Sequence, residues 1–195
     1  MATPQTQMLR AFIAINLDPA LLAELEKLQR RLRFGDAVRW TKPEQIHLTL
    51  KFLGDIAPET VPQADAALKR ACQGVQPFEL SLEGLGCFPG ENKPSVVWVG
   101  VGGGVEALKA LQGRVEQETR SLASHSEDRE FRPHLTIARV RSSNFSELRR
   151  IGGMITTTAV ARLGAWTVKD VHLMQSELLR EGARHTDLAT IPLAP

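Results

Sequence analysis

The sequence predicts an α+β fold of two pseudo-symmetric lobes, each an antiparallel sheet with outer helices, the sheets facing one another across a central cleft. Three observations predict it. Short, β-rich apolar runs alternate with longer amphipathic segments. That alternation occurs twice, each half running strand, helix, loop and then a strand that begins His-Leu-Thr-aliphatic: HLTL at 47–50 and HLTI at 134–137. The spacing also repeats, with 35 residues from Phe12 to His47 and 37 from Val97 to His134. Two copies are too few for a solenoid. A pseudo-twofold axis between similar lobes accounts for them and brings both motifs into one cleft. The 195 residues suit a single bilobal domain, 1–195.

Residues 10–17 (RAFIAINL) read as the first strand. Asp18-Pro19 opens a helix over 20–33, whose Leu21, Leu22, Leu25, Leu28 and Leu32 form one apolar stripe. Residues 46–53 (IHLTLKFL) read as a strand closed by Gly54-Asp55, and 58–73 as a helix. Residues 78–88 suggest one or two strands, with Gly84 and Gly86 as breaks. The second half opens with a strand at 95–101 (SVVWVGV) and a helix at 105–122 spaced through Leu108, Leu111, Val115 and Leu122. Gly102-Gly103-Gly104, between them, lacks the Lys-Ser/Thr of a phosphate loop and reads as a flexible turn. A polar stretch at 123–130 leads into the strand 133–140 (PHLTIARV). Residues 166–179 and 185–191 form a closing pair of strands around a Glu181-Gly182 turn.

Composition narrows the function. The 43% hydrophobic and 24% charged content is that of an ordinary globular protein. No apolar run reaches the roughly 20 residues that span a bilayer, and MATPQTQMLR lacks the layout of a secretory signal. Cys72 and Cys87 sit in no metal-binding spacing and read as reduced structural thiols in a cytoplasmic protein. A net charge of +2 suits an anionic substrate bound locally rather than a coat of nucleic acid. The expectation is no membrane association and no obligate protein partner.

The chemistry lies in the duplicated motif. Side chains alternate along a strand, so His47 and Thr49 share one face while Leu48 and Leu50 share the other; His134 and Thr136 divide likewise from Leu135 and Ile137. Facing lobes would therefore gather two imidazoles and two hydroxyls. Such a quartet suits hydrolysis of a cyclic phosphodiester. One proton must leave the attacking water and another must reach the departing ribose oxygen, on opposite sides of phosphorus. Imidazole serves in either state near neutrality. Threonine hydroxyls can donate to the non-bridging oxygens. No metal or other cofactor is called for, and no Asp, Glu or Cys beside the histidines completes a ligand set.

In these strings the sequence resembles the two-histidine (2H) phosphoesterase superfamily, defined by paired His-x-Thr/Ser-x motifs, and within it the RNA 2′,3′-cyclic phosphodiesterases, also described as 2′-5′ RNA ligases. RAFIAINL, HLTLKFLG (47–54), PSVVWVGV (94–101), FRPHLTIAR (131–139) and VHLMQSEL (171–178) carry the resemblance over nearly the whole chain. It implies that His47 donates a proton to the 3′ oxygen, that His134 activates water, and that Thr49 and Thr136 bind the phosphate. It further implies a 2′-phosphate product and, as partner, RNA ending in a 2′,3′-cyclic phosphate or a cyclic nucleotide. Phe52 and Arg139, each five residues after its histidine, match positions that sandwich a nucleobase in the family. Strict alternation puts both on the wrong face, and only a twist or bulge would turn them into the cleft.

Other residues have simpler readings. His125 and His185 read as solvated loop residues, and His172 as a satisfied histidine on the final sheet. Arg39, Lys42, Lys51, Arg132 and Arg141 flank the motifs as solubilising charges that could also attract phosphate. Trp40 and Trp166 read as core or rim packing.

Overall fold

The computed structural model describes residues 7–124, 130–179 and 182–194. Its strands and helices are β1 (Leu9–Ile15), α1 (Pro19–Arg31), β2 (Val38–Trp40), β3 (Leu48–Ile56), α2 (Val61–Cys72), β4 (Phe78–Phe88), β5 (Val96–Gly103), α3 (Val105–Thr119), β6 (His134–Val140), α4 (Phe145–Thr157), β7 (Gly164–Val168), β8 (Asp170–Leu179) and β9 (Gly182–Pro192). The strands pair in the order β7-β4-β5-β6-β3-β1-β8-β9, with β2 also on β6. All of these pairings are antiparallel.

The repeat seen in the sequence organises this sheet. One arm is β3, β1, β8 and β9; the other is β6, β5, β4 and β7. The arms meet at one residue pair, Leu48 opposite Leu135. The two expected sheets are thus the arms of one curled antiparallel half-barrel. The helices follow the same symmetry. Helix α1 leaves β1 of the first arm and packs against β7 of the second, while α3 leaves β5 of the second and packs against β3 of the first. Helix α2 lies on α3, β8 and β9, and α4 on β4. The stripe on α1 buries Leu21, Leu25 and Leu28, as its helical spacing requires. Ile13, Ile15, Leu48, Leu50, Leu135 and Ile137 belong to the same buried core.

Several elements differ from expectation. The first helix begins at Pro19, and residues 58–60 form a separate 3-10 turn before α2. Residues 78–88 are one strand, bulged between Glu83 and Leu85 where Gly84 takes a φ of 74° that favours glycine. The polar stretch at 123–130 falls partly outside the described residues, as do His125 and Glu181 of the expected closing turn.

Helix α4 had no counterpart in the sequence reading. Its signals are an Asn144 cap, whose side chain accepts from the amides of Ser146 and Glu147, and an apolar face of Leu148, Ile151 and Ile155. Two adjacent glycines obscured it, because glycine is a poor helix former. Gly152 is required by packing: a β-carbon there would collide with the carbonyl of Glu91. No helix among the described residues is long and apolar enough to cross a membrane.

Candidate active site

Both motifs lie at the seam between the arms. His47 immediately precedes β3, and His134 is the first residue of β6. Leu48 and Leu135, directly opposed, are fully buried on the helical side, so His47, Thr49, His134 and Thr136 point to the other face. The antiparallel register also sets their order. One step either side of the Leu48–Leu135 pair, His47 comes opposite Thr136 and Thr49 opposite His134. The two histidines are then diagonal neighbours, a relation that spans about 7–8 Å between α-carbons. The four half-buried side chains surround the pseudo-twofold axis.

Each imidazole is fixed in the same way. Nδ1 of His47 donates to the carbonyl of Gln45 at 2.9 Å, and Nδ1 of His134 to that of Arg132 at 2.6 Å. A carbonyl only accepts, so both rings carry their neutral-form proton on Nδ1 and leave Nε2 as an acceptor.

The surroundings of the rings differ. Phe12 of β1 stacks on His47, centroids 4.7 Å apart, and His185 of β9 meets both in edge contacts, at 5.0 Å from His47 and 5.1 Å from Phe12. His134 instead has Phe88 edge-on at 5.0 Å and Trp98 tilted at 6.3 Å. Gly86 makes room for that indole, because a β-carbon there would strike the Trp98 ring. Gly86 is therefore a packing position inside β4 and not a break. Burial, and next the charge of His185, lower the pKa of His47 to about 4, with the Gln45 carbonyl opposing. Burial lowers that of His185 as well.

The bulge required for Phe52 and Arg139 is present twice. Ile13 pairs with Lys51 and Ala14 with Thr49, leaving Leu50 as the extra residue of β3. Val97 pairs with Ala138 and Trp98 with Thr136, leaving Ile137 as the extra residue of β6. Leu50 and Lys51, like Ile137 and Ala138, are all buried, and the next residue returns to the cleft face. Phe52 is 55% exposed, 6.1 Å from the Phe12 ring. Arg139 is exposed, directly across from Arg39 of β2. The twofold relation sets Phe52 and Arg139 on opposite sides of the axis.

Two other expectations are corrected. Lys51 is neither a solubilising charge nor a phosphate lure: the bulge turns it to the helical side, where its buried ammonium meets Glu116 of α3 at 2.8 Å. His185 is no solvated loop residue but a strand residue packed against His47. His172 is the satisfied residue expected, bonded to Asp170 at 2.9 Å and to Thr190 at 3.2 Å. Trp166 is buried in the core and Trp40 stacks on Phe34. Sequence reasoning missed Phe12, Phe88 and Trp98; Phe12 and Trp98 lie on β1 and β5, the strands flanking β3 and β6, and Phe88 lies one strand further out on β4. Among the described residues no cluster of three or more His, Cys, Asp or Glu side chains is placed to hold a metal.

This arrangement defines a fold class with solved representatives. A crystal structure from Thermus thermophilus superposes with a TM-score of 0.78 at 27% identity, covering 94% of this chain and 97% of that one. E. coli LigT, crystallised with 3′-AMP, gives a TM-score of 0.79 at 22% identity over 97% of this chain and 100% of its own. Residues 15–178 match the family model described as the 2′-5′ RNA ligase superfamily, and the chain belongs to that family. A relative from Methanothermobacter thermautotrophicus, named RNA 2′,3′-cyclic phosphodiesterase, is 33% identical over 94% of this chain and 98% of its own length. One from Archaeoglobus fulgidus with the same name is 30% identical over 92% and 98%.

Proposed function

We propose that this chain hydrolyses 2′,3′-cyclic phosphodiesters, at RNA ends or on nucleotides, to 2′-phosphomonoesters by metal-independent two-histidine acid–base catalysis. The observation that supports this reading is the register at the seam, in which both histidines and both threonines fall on the face opposite the buried Leu48–Leu135 pair. The names of the relatives support the substrate class.

In this scheme the phosphate sits on the axis, and Thr49 and Thr136 donate to its two non-bridging oxygens. Nε2 of His134 takes a proton from water as its oxygen bonds to phosphorus. The bond from phosphorus to the 3′ oxygen breaks, and Nε2 of His47 supplies the proton that makes the 3′ hydroxyl. Phe52 and Arg139 offer a ring and a guanidinium for base or backbone on either side of the axis. Among its protein neighbours alone His47 is neutral at pH 7, given its pKa of about 4. A phosphodiester anion beside the ring favours the imidazolium, so the donor form belongs to the complex.

The test is incubation with a 2′,3′-cyclic nucleotide in excess chelator, followed by location of the product phosphate. Turnover to the 2′-phosphate is expected, with a loss of at least roughly 100-fold in His47→Ala or His134→Ala. Activity abolished by chelator, or retained in either variant, would sink the scheme.

A further inference from the structure

The symmetry of the seam raises a question it cannot answer: what makes one histidine the donor and the other the acceptor? Their own strands treat them alike, each Nδ1 bonded to the carbonyl two residues earlier. The difference comes from the outer strands. In the second arm β7 pairs only with Phe78–Leu82 of β4 and stops short of Phe88, which contacts His134. In the first arm β9 pairs with β8 along its whole length, and that extension delivers His185 to His47. A hydrogen bond from the Gln45 side chain to the Ala183 carbonyl ties the start of β9 to the turn that carries His47.

We propose that His185 is a positioning residue that acts through His47, holding its ring against Phe12 and making it the proton donor of the pair. This rests on the hydrolytic reading above. Two imidazoles with centroids 5.0 Å apart take one proton far more readily than two. A charge on His185 therefore opposes a proton on His47, and makes the protonated His47 the stronger acid. A stronger acid is the better donor to a poor leaving group. The lowering of His47, to which His185 contributes after burial, agrees with this.

Two carboxylates lie near His185. Asp187 and Glu44 line, with Asn16, Ile46, Met174 and His185, a cavity of about 280 Å³ beside His47. Asp187 is engaged by His172 at 3.3 Å, and Phe12 on β1 brings no charge. The buried Nδ1 of His185 has no hydrogen-bond partner among the described residues.

The experiment is His185→Phe, which keeps a ring against Phe12 and His47, with His185→Gln as a second variant; thermal melting establishes that each is folded. The Cε1–H resonance of His47 is titrated by NMR in the native protein and both variants. Its midpoint is expected to rise by about half a pH unit or more once the neighbouring charge is gone. With a 2′,3′-cyclic nucleotide, kcat should fall about 3- to 10-fold with KM within about twofold, because the donor is weaker and less well held. The limb of the pH–rate profile that coincides with the His47 titration should move with it. An unmoved midpoint, or an unchanged kcat, in a folded variant overturns the proposal. Failure of the native protein to turn over any cyclic phosphate would instead remove the hydrolytic reading, and the NMR titration would still decide whether His185 governs His47.

Discussion

His47 trades solvation for position. Held between Phe12 and His185, it has a pKa of about 4, down from the 6.5 of a free imidazole, burial being the larger cause and His185 the next. An unfolded chain would bind a proton at this histidine near pH 6.5, where the folded one does not. Above that pH both states are neutral and the linkage contributes nothing adverse. As pH falls from 6.5 toward 4 the unfolded state gains protons first, so stability declines through that window. The loss from His47 alone is about 2–3 kcal/mol at pH 4.5, and His185, lowered in the same direction, adds to it. Chemical denaturation at pH 7 and pH 4.5 should therefore show a smaller acid penalty in His47→Gln than in the native protein. Equal penalties would mean that the imidazole is not desolvated. His47 and His134 were legible in the sequence because duplication lifted each above a lone His-x-Thr. His185 was not, since GARHTD carries the polar, glycine-led composition of a turn and only packing remote in sequence gives it a neighbour.

Bulges decide which side chains the seam strands present. Alternation read correctly from His47 to Leu50 and from His134 to Ile137, then failed at the same step in both repeats. A bulge adds one residue without a compositional mark, so only its consequence is visible: two successive positions buried where alternation wants one. In β6 these are Ile137 and Ala138, both apolar. In β3 the second is Lys51, a residue whose charge argues for solvent, and there the sequence misleads. Its placement has a measurable cost. Lys51 is 5% exposed and depends on Glu116, itself partly exposed. Glu116→Ala should destabilise the fold by roughly 3 kcal/mol, the low end for stranding a buried charge. Lys51→Met, which removes the charge and keeps the stem, should cost less. Urea denaturation of the two variants checks this, and the reverse order would place Lys51 in solvent. Helix α4 shows the opposite failure: a cap and an apolar face were present in the sequence, but Gly152-Gly153 masked them.

At the scale of the molecule, two arms of a sheet are registered through very little: the ladder between β3 and β6 is the single pair Leu48–Leu135. The duplication and the facing lobes were legible because each half repeats its elements at nearly one spacing. The join was not, because pairing between distant strands leaves no local pattern. Yet that join sets the separation of His47 and His134, which the proposed chemistry needs at one phosphate's width. Leu135 is fully buried, and Leu135→Ala should cost about 2–5 kcal/mol of stability by opening a cavity. A loss of that kind alone would leave activity intact well below the melting temperature. The seam makes a further demand, since a cavity under the axis lets the strands shift, and displacements of about 1 Å can cost 100-fold in rate. Leu111→Ala supplies the comparison, as it removes an equally buried side chain from α3, away from the axis. With both variants assayed at a temperature where each is fully folded, kcat on a cyclic nucleotide should fall at least about tenfold in Leu135→Ala and stay within about threefold in Leu111→Ala. Equal losses in the two would mean that the axial pair fills space and does not register the site.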